Sequence, residues 1–383
     1  MKVCVVPYNL LAYVQGGGYA WVYNNWSLGL QANRCDVIWL EGSFYQSDMA
    51  AAEVVQRLQS LRASWDAIGL RAGIALILSD TDRERLRSVS EELAELTVPL
   101  EAAIVETELL LNFNYSLDGE LLGRFRRTAL IDVDPGLLQI WISTGGVQPA
   151  EHDLYFTIGE TVGTPAARFP DCGLRWHYTP PPVSLPAWPL TPADATAPYT
   201  TVSNWWGEWV EFGDESYCND KRASFLEYLD LPSRTAAPLE LALCLGEDED
   251  EERHLLENMG WKIRHALDVS STPEHYRAYI QQSRGEFSCA KPSCMRLSNA
   301  WISDRTLCYL ASGKPVVVQY TGPSGFLPDG DGLFRFRNPD EATAALCAVE
   351  SRYAWHCRQA RKLAEEHFDA QKVARHVLER ALL

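Results

Sequence analysis

Basic residues, paired cysteines and long apolar runs are all scarce in this chain, and each shortage closes off a class of function. Lys and Arg number 34 against 51 Asp and Glu, for a net charge of −17. Nucleic acid and anionic membrane surfaces require a basic footprint, so neither is expected as a partner. A small phosphorylated ligand stays open, since a few local cations suffice for one. No stretch approaches the roughly 20 apolar residues that span a bilayer. The opening MKVCVVPYNLL is interrupted by Pro7 and Asn9 and lacks the apolar core of a secretory signal. The 10 cysteines include no CxxC pair, and the 8 histidines form no HxxxH or HExxH pair. The expectation is a cytoplasmic protein with reduced thiols, no metal site and no cofactor. GxSxG and GxxxxGK[ST] are also missing, which leaves hydrolase-elbow and P-loop chemistry unsupported.

What remains is a globular α/β pattern. A chain of 383 residues, 46% hydrophobic and 22% charged, suits two domains of ordinary size. Short apolar strands are read at Lys2 to Val6, Asp36 to Leu40 and Ala72 to Leu78, with further ones near Ala102 to Val105, Leu109 to Leu111, Thr128 to Ile131 and Asp153 to Thr157. Helices are read over Tyr19 to Asn33, Met49 to Ile68 and Thr81 to Leu96. Apolar strands separated by helices indicate a parallel sheet covered on both faces. Between Thr179 and Tyr199 there are 7 prolines in 21 residues, a density that forbids regular structure and gives a stiff, extended connector. Alternation then resumes, with strands at Thr200 to Ser203, Leu239 to Leu243 and Trp261 to Ile263, and helices at Lys221 to Leu229 and Pro273 to Ser283. The acidic run Glu247 to Glu252 suits a solvated helix start. The tail from Tyr353 reads as two helices meeting near Phe368 and Asp369. Two domains follow, residues 1–190 and 191–383, with the proline segment as hinge.

Several motifs carry potential chemistry. Gly16, Gly17 and Gly18 follow the first strand, where they let a ligand or the facing domain approach the backbone. They do not complete GxGxxG, and Glu41 after the second strand is an ordinary position for an acid, so a redox nucleotide site is not expected. Asp132-Val133-Asp134-Pro135-Gly136 ends a strand, at the edge where α/β folds bind ligands; Asp134 is there either as a base for a hydroxyl or as turn chemistry. Glu160 ends the next strand, as a second candidate base or a cap. Ser203, Asn204, Trp205 and Trp206 end the first strand beyond the linker, with small polar groups for a diphosphate and rings for a base or sugar. Finally, WISDRTLCYLASGKPVVVQYTG, Trp301 to Gly322, places Ser303, Asp304 and Arg305 at a helix start before a β-branched strand. Free N–H groups and the helix dipole favour an anion at that end.

GGGYAWVYNNWSLGLQANRCDVIWLE, ALIDVDPG, TIGETVGTP and SRGEFSCAK followed by SDRTLCYLASGKPVVVQYTG together resemble the glycosyltransferases of the GT-B class, across nearly the whole chain. The resemblance implies two Rossmann-like domains facing a central cleft, with the C-terminal helices crossing back to the first domain. It implies a nucleotide-diphosphate sugar donor on the second domain and a small-molecule or glycan hydroxyl acceptor on the first. Ser303, Asp304 and Arg305 would contact donor phosphate or sugar, Thr321 and Gly322 would line the donor pocket, and Lys291 or Arg305 would neutralise the leaving diphosphate in place of a metal. Two positions depart from the pattern. Cys308 stands where relatives carry a ribose-binding Glu, and Tyr19 where inverting enzymes place a His base; a phenol with a pKa near 10 is a poor base at neutral pH. The base then falls to Asp134 or Glu160. Nucleotide-sugar epimerase or hydrolase chemistry, and non-catalytic binding of a nucleotide sugar, are the alternatives on the same fold.

Overall fold

A computed structural model describes residues 1–13, 15–42, 49–246 and 248–382; Glu247, at the head of the acidic run, lies outside them. The first domain holds β1 (Lys2–Val6), β2 (Asp36–Glu41), β3 (Ala72–Leu76), β4 (Leu109–Asn112), β5 (Thr128–Asp132), β6 (Leu154–Thr157) and β7 (Trp176–Tyr178). These form one parallel sheet in the order β3-β2-β1-β4-β5-β6-β7. The second domain contributes β8 (Tyr199–Asn204), the hairpin β9 (Val210–Phe212) and β10 (Glu215–Tyr217), then β11 (Leu239–Cys244), β12 (Lys262–His265), β13 (Gly285–Ser288), β14 (Val316–Gln319) and β15 (Leu333–Phe336). Its six-stranded parallel sheet runs β12-β11-β8-β13-β14-β15. Both sheets reverse direction of growth beside their first strand. That switch point opens a crevice at the carboxyl ends of the strands, and the two crevices face each other.

The strands are buried on both faces, as the runs VCVV and LLL require: Val3, Cys4, Val5, Leu109, Leu110 and Leu111 have no exposed surface. Trp21, Trp26, Trp39 and Trp65 fill the space between the first sheet and its helices. The second sheet closes its outer face with Tyr228, Trp261, Phe287 and Phe336, the last two rings stacked at 5.3 Å.

Three expectations are corrected. Ala102 to Val105 is not a strand; it lies in the helix Leu100–Glu106, one turn of which buries Ala103 and Ile104. The span Thr81 to Leu96 is broken into Asp80–Arg85, which starts at a capping box between Ser79 and Asp82, a short turn at Arg87–Val89 and Ser90–Leu96. The proline segment is extended but not a free hinge. Val183 pairs with the backbone at Phe368 and Asp369, Ser184 N–H donates to the Asn25 side chain, and buried Trp188 packs at a tilt against Trp21, ring centroids 4.7 Å apart.

The chain end returns to the first domain. The helix Ala370–Leu382 packs along the first helix, Gly17–Ala32, where Gly29 leaves room for the Ala370 carbonyl. Asn33 donates to the Gln371 carbonyl at 2.8 Å, and Arg127 to that of Ala381 at 3.0 Å. Among the described residues, no helix is long and apolar enough to cross a membrane.

Candidate functional site

Loops from the carboxyl ends of both sheets enclose two adjoining cavities. One, of about 570 Å³, lies mainly on the second domain and is lined by Ser203, Asn204, Trp206, Trp209, Lys221 and Lys291 among others. The other, of about 720 Å³, lies on the first domain among Tyr23, Phe113, Tyr115, Asp134, Trp141 and Trp301. Gly18, Tyr19, Trp141 and Asp304 line both and mark where they meet.

The glycine loop is shaped by the facing domain. A Cβ on Gly17 would lie 2.2 Å from the Thr272 carbonyl oxygen, and one on Gly18 would lie 2.8 Å from the Tyr276 ring. Gly16 instead accommodates the ring of Tyr13. Trp21, one turn on, donates to the Pro273 carbonyl at 2.8 Å. The two domains are thus in backbone contact beside the cleft.

Cations gather on the second-domain side. Lys221, the first residue of the helix Lys221–Leu226, and Lys291, which precedes the helix Pro292–Leu297, line both the large cavity and a smaller one of about 180 Å³ that reaches Asp134. Neither ammonium makes a hydrogen bond or ion pair among the described residues, and Lys291 lies near enough to Asp134 to draw its carboxyl down. Burial, with Arg305 and Lys291 nearby, pulls the Lys221 ammonium down to about 7. Sequence reading placed Lys221 on an unremarkable helix. The signal available was its position: a cation in the first turn opposes the helix dipole and there needs another reason.

Arg305 belongs to the architecture as much as to the cleft. Its Nε donates to Glu286 at 2.8 Å, one terminal nitrogen to the Val202 carbonyl at 2.9 Å and the other to Ser288 at 2.6 Å. Burial opposes its charge, and Glu286 with Tyr276 and Tyr309 together more than restore it. Ser303 caps the helix Asp304–Ala311, its hydroxyl accepting from the Arg305 N–H. Asp304 opens onto both cavities with its carboxyl pushed upward by burial, with Asp134 adding to the effect. A carboxylate there fits sugar hydroxyls better than phosphate. The Ser203 hydroxyl donates to the Asn204 carbonyl, and the Asn204 side chain stands exposed on the cavity wall. Trp205 is core, whereas Trp206 and Trp209 are about half exposed at the cavity mouth, at 47% and 57%. Arg222 covers one face of Trp206, and Glu249 accepts from its indole N–H.

On the first-domain side Asp134 is held from beneath. Its N–H donates to Asp132, whose buried carboxyl, raised to about 7 by desolvation, also accepts from Gln139 and Thr157. Tyr115 donates to Asp134 at 3.1 Å, and burial raises the Asp134 carboxyl while Lys291 and Tyr115 draw it back. Asp134 is therefore an oriented, partly desolvated carboxylate facing both the cavity and the lysines.

Other sequence candidates sit elsewhere. The Tyr19 hydroxyl donates to the Tyr8 carbonyl and accepts from Tyr23 at 2.8 Å, and burial drives its pKa further up; its ring lines the wall of both cavities. Glu160 lines none of these cavities; it accepts from the Gly325 N–H and so ties the domains. Thr321 and Gly322 lie behind the cleft. Thr321 donates to the Trp301 carbonyl at 2.6 Å, and Gly322 packs against Ser298 and Ala300, two non-glycine residues in the left-handed region. This strained turn also crosses between the domains, with Asn299 donating to the Pro135 carbonyl at 2.8 Å. Cys308 is buried, donates to the Asp304 carbonyl and faces Asn25, away from the cavities. Among the described residues no group of three His, Cys, Asp or Glu is placed to hold a metal.

No protein-family model and no curated protein matches the sequence. Solved structures do match over the full length. Sucrose-phosphate synthase from Thermosynechococcus elongatus aligns with a TM-score of 0.58 at 11% identity, over 100% of this chain and 99% of that one. HepE from Anabaena, solved in complex with UDP, aligns at 0.54 and 9% identity over 99% and 98%. AviGT4, a glycosyltransferase of avilamycin A biosynthesis, aligns at 0.53 and 13% identity over 100% and 97%. The chain has the GT-B architecture.

Proposed function

We propose that the protein is a glycosyltransferase, moving a sugar from a nucleotide-diphosphate sugar to the hydroxyl of a small-molecule or glycan acceptor without a resident metal. The observation that carries this reading is the meeting of two cavities of opposite character at Asp304, one holding the unpaired Lys221 and Lys291, the other the oriented carboxylate of Asp134. The GT-B likeness adds to it, since HepE was solved with UDP and with UDP-glucose.

In this reading the donor diphosphate lies against Lys221 and Lys291. Their charge opposes the negative charge that develops on the departing nucleotide, in a site shielded from bulk water where such pairing is strong. Trp206 and Trp209 offer ring faces to the base at the cavity mouth. The Asn204 side chain and the capped helix end at Ser303 supply neutral donors to the phosphates or sugar, and the Ser203 oxygen is left as an acceptor. Asp304, at the junction, accepts from sugar hydroxyls. Asp134 takes the acceptor's proton, and desolvation, by raising its carboxyl, brings its affinity for a proton nearer the working pH. Arg305 acts through position, fixing the helix that carries Asp304. Thr321 and Gly322 act the same way, on the turn that carries Trp301.

Thermal-shift titration with UDP, GDP, dTDP and their sugars provides the test. A nucleotide that raises the melting temperature of the wild type but not of Lys221→Met supports the donor site; absence of a shift with all of them rejects the transferase reading.

A further inference from the structure

The first-domain cavity also specifies a chemical class. We infer that it takes an uncharged acceptor built on a flat aryl ring, with a hydroxyl directed at Asp134, and that it rejects phosphorylated sugars. Its walls are the rings of Tyr23, Phe113, Tyr115, Trp141 and Trp301, with Val147 at the rim. Rings in such numbers present apolar faces that favour offset or edge-on contact with another ring.

Three of the four lining tyrosines, all but the half-exposed Tyr8, offer little else, because their hydroxyl protons are already engaged inside the protein. Tyr23 donates to Tyr19, Tyr19 to the Tyr8 carbonyl, and Tyr115 to Asp134, and the Tyr115 oxygen also accepts from the Val133 N–H. The two carboxylates can accept from one or two hydroxyls, but the ring faces give a sugar's remaining hydroxyls no partner, a penalty that a flat aryl ring avoids. Charge points the same way. Among the described residues no Lys, Arg or His lines this cavity, while Asp134 and Asp304 do. Lys221 and Lys291 line the other compartment and the small cavity behind Asp134, not this one. A phosphate would meet two carboxylates and no cation.

The word acceptor rests on the transferase reading; the binding preference does not. Isothermal calorimetry on the full chain, with and without saturating UDP, compares 2-naphthol, glucose and glucose 6-phosphate. The expected result is that 2-naphthol binds at least about tenfold more tightly than either sugar. Val147→Arg should abolish naphthol binding and retain both the wild-type melting temperature and its UDP-induced shift. Glucose or glucose 6-phosphate binding as tightly as 2-naphthol would overturn the inference. Loss of UDP binding with the naphthol preference intact would strike the transferase reading alone and leave the aryl preference supported.

Discussion

Arg305 and Glu286 form an ion pair inside the second domain, 2.8 Å between Nε and Oε1, with the Glu286 side chain wholly enclosed. The pair joins the helix that opens at Asp304 to the strand β13, and so sets the position of one wall of the cleft. Removing the arginine strands a carboxylate in the core. Arg305→Ala should therefore cost about 3–5 kcal/mol of stability, measured by urea denaturation. The double substitution Arg305→Met with Glu286→Gln should recover most of the loss. An Arg305→Ala protein of wild-type stability would show that the pair is dispensable.

Gly17 gives a second stability prediction. An added methyl collides with the Thr272 carbonyl of the other domain, and backbone on both sides leaves it nowhere to go. Gly17→Ala should lower stability by about 1–3 kcal/mol, as overpacking does. Small-angle scattering should report a wider separation of the domains. Gly145, where a Cβ meets nothing, sits at positive φ and so is not the right control. Gly119→Ala, whose Cβ would make an ordinary contact at 3.4 Å, is the control and should stay near wild type.

These two sites show what the sequence made legible. Strand runs such as VCVV and VVV identify themselves, since only burial on both faces tolerates them. The proline segment and the returning tail helices were also readable. β13 was not, because GEFS carries a glutamate that makes sense in a core only once Arg305 is known to reach it. The segment EAAIVE was ambiguous for a different reason: four apolar residues fit a strand or one helical turn equally well, and tertiary packing decides. The hairpin β9–β10 is too short and polar to announce itself, yet Val210 and Tyr217 pack on Leu137 and Ile140 across the cleft. At the site, the acid at Asp134 was visible from its place at a strand end. That Arg305 is held by Glu286, and that Glu160 accepts from Gly325, was not readable, because sequence cannot show which buried partner a charge already has.

Lys221 makes the donor site sensitive to pH. Its ammonium, brought down to about 7 from an ordinary value near 10.5, is largely neutral in the free protein above neutrality. A diphosphate favours the charged form, so binding must take up a proton there. UDP affinity should fall as pH rises from 7 to 9, by up to about tenfold per unit while the bound lysine remains charged. Calorimetry in buffers of different ionisation enthalpy should register the uptake. Lys221→Met should lose both the slope and the uptake; a slope that survives would assign it to another group.

Asp134 and Tyr19 separate base from wall. Asp134→Asn should reduce kcat by about 10²–10⁴-fold and remove the acid limb of the pH–rate profile, which the upward shift of Asp134 predicts. The UDP-induced melting shift should be unchanged. Tyr19→Phe should keep kcat within about threefold, since the phenol donates to a carbonyl and has no role in proton transfer. The opposite ranking of the two variants would transfer the base to Tyr19.

The returning helix has a consequence for the order of events as the protein is made. The first domain is synthesised early, but the surface of its first helix that carries Gly29 and Asn33 waits for Ala370 and Gln371, more than 330 residues downstream. Residues 1–190 made alone should therefore leave open the flank of the first helix that Ala370 and Gln371 cover, and that domain should reach its stable form only once the distant segment is present.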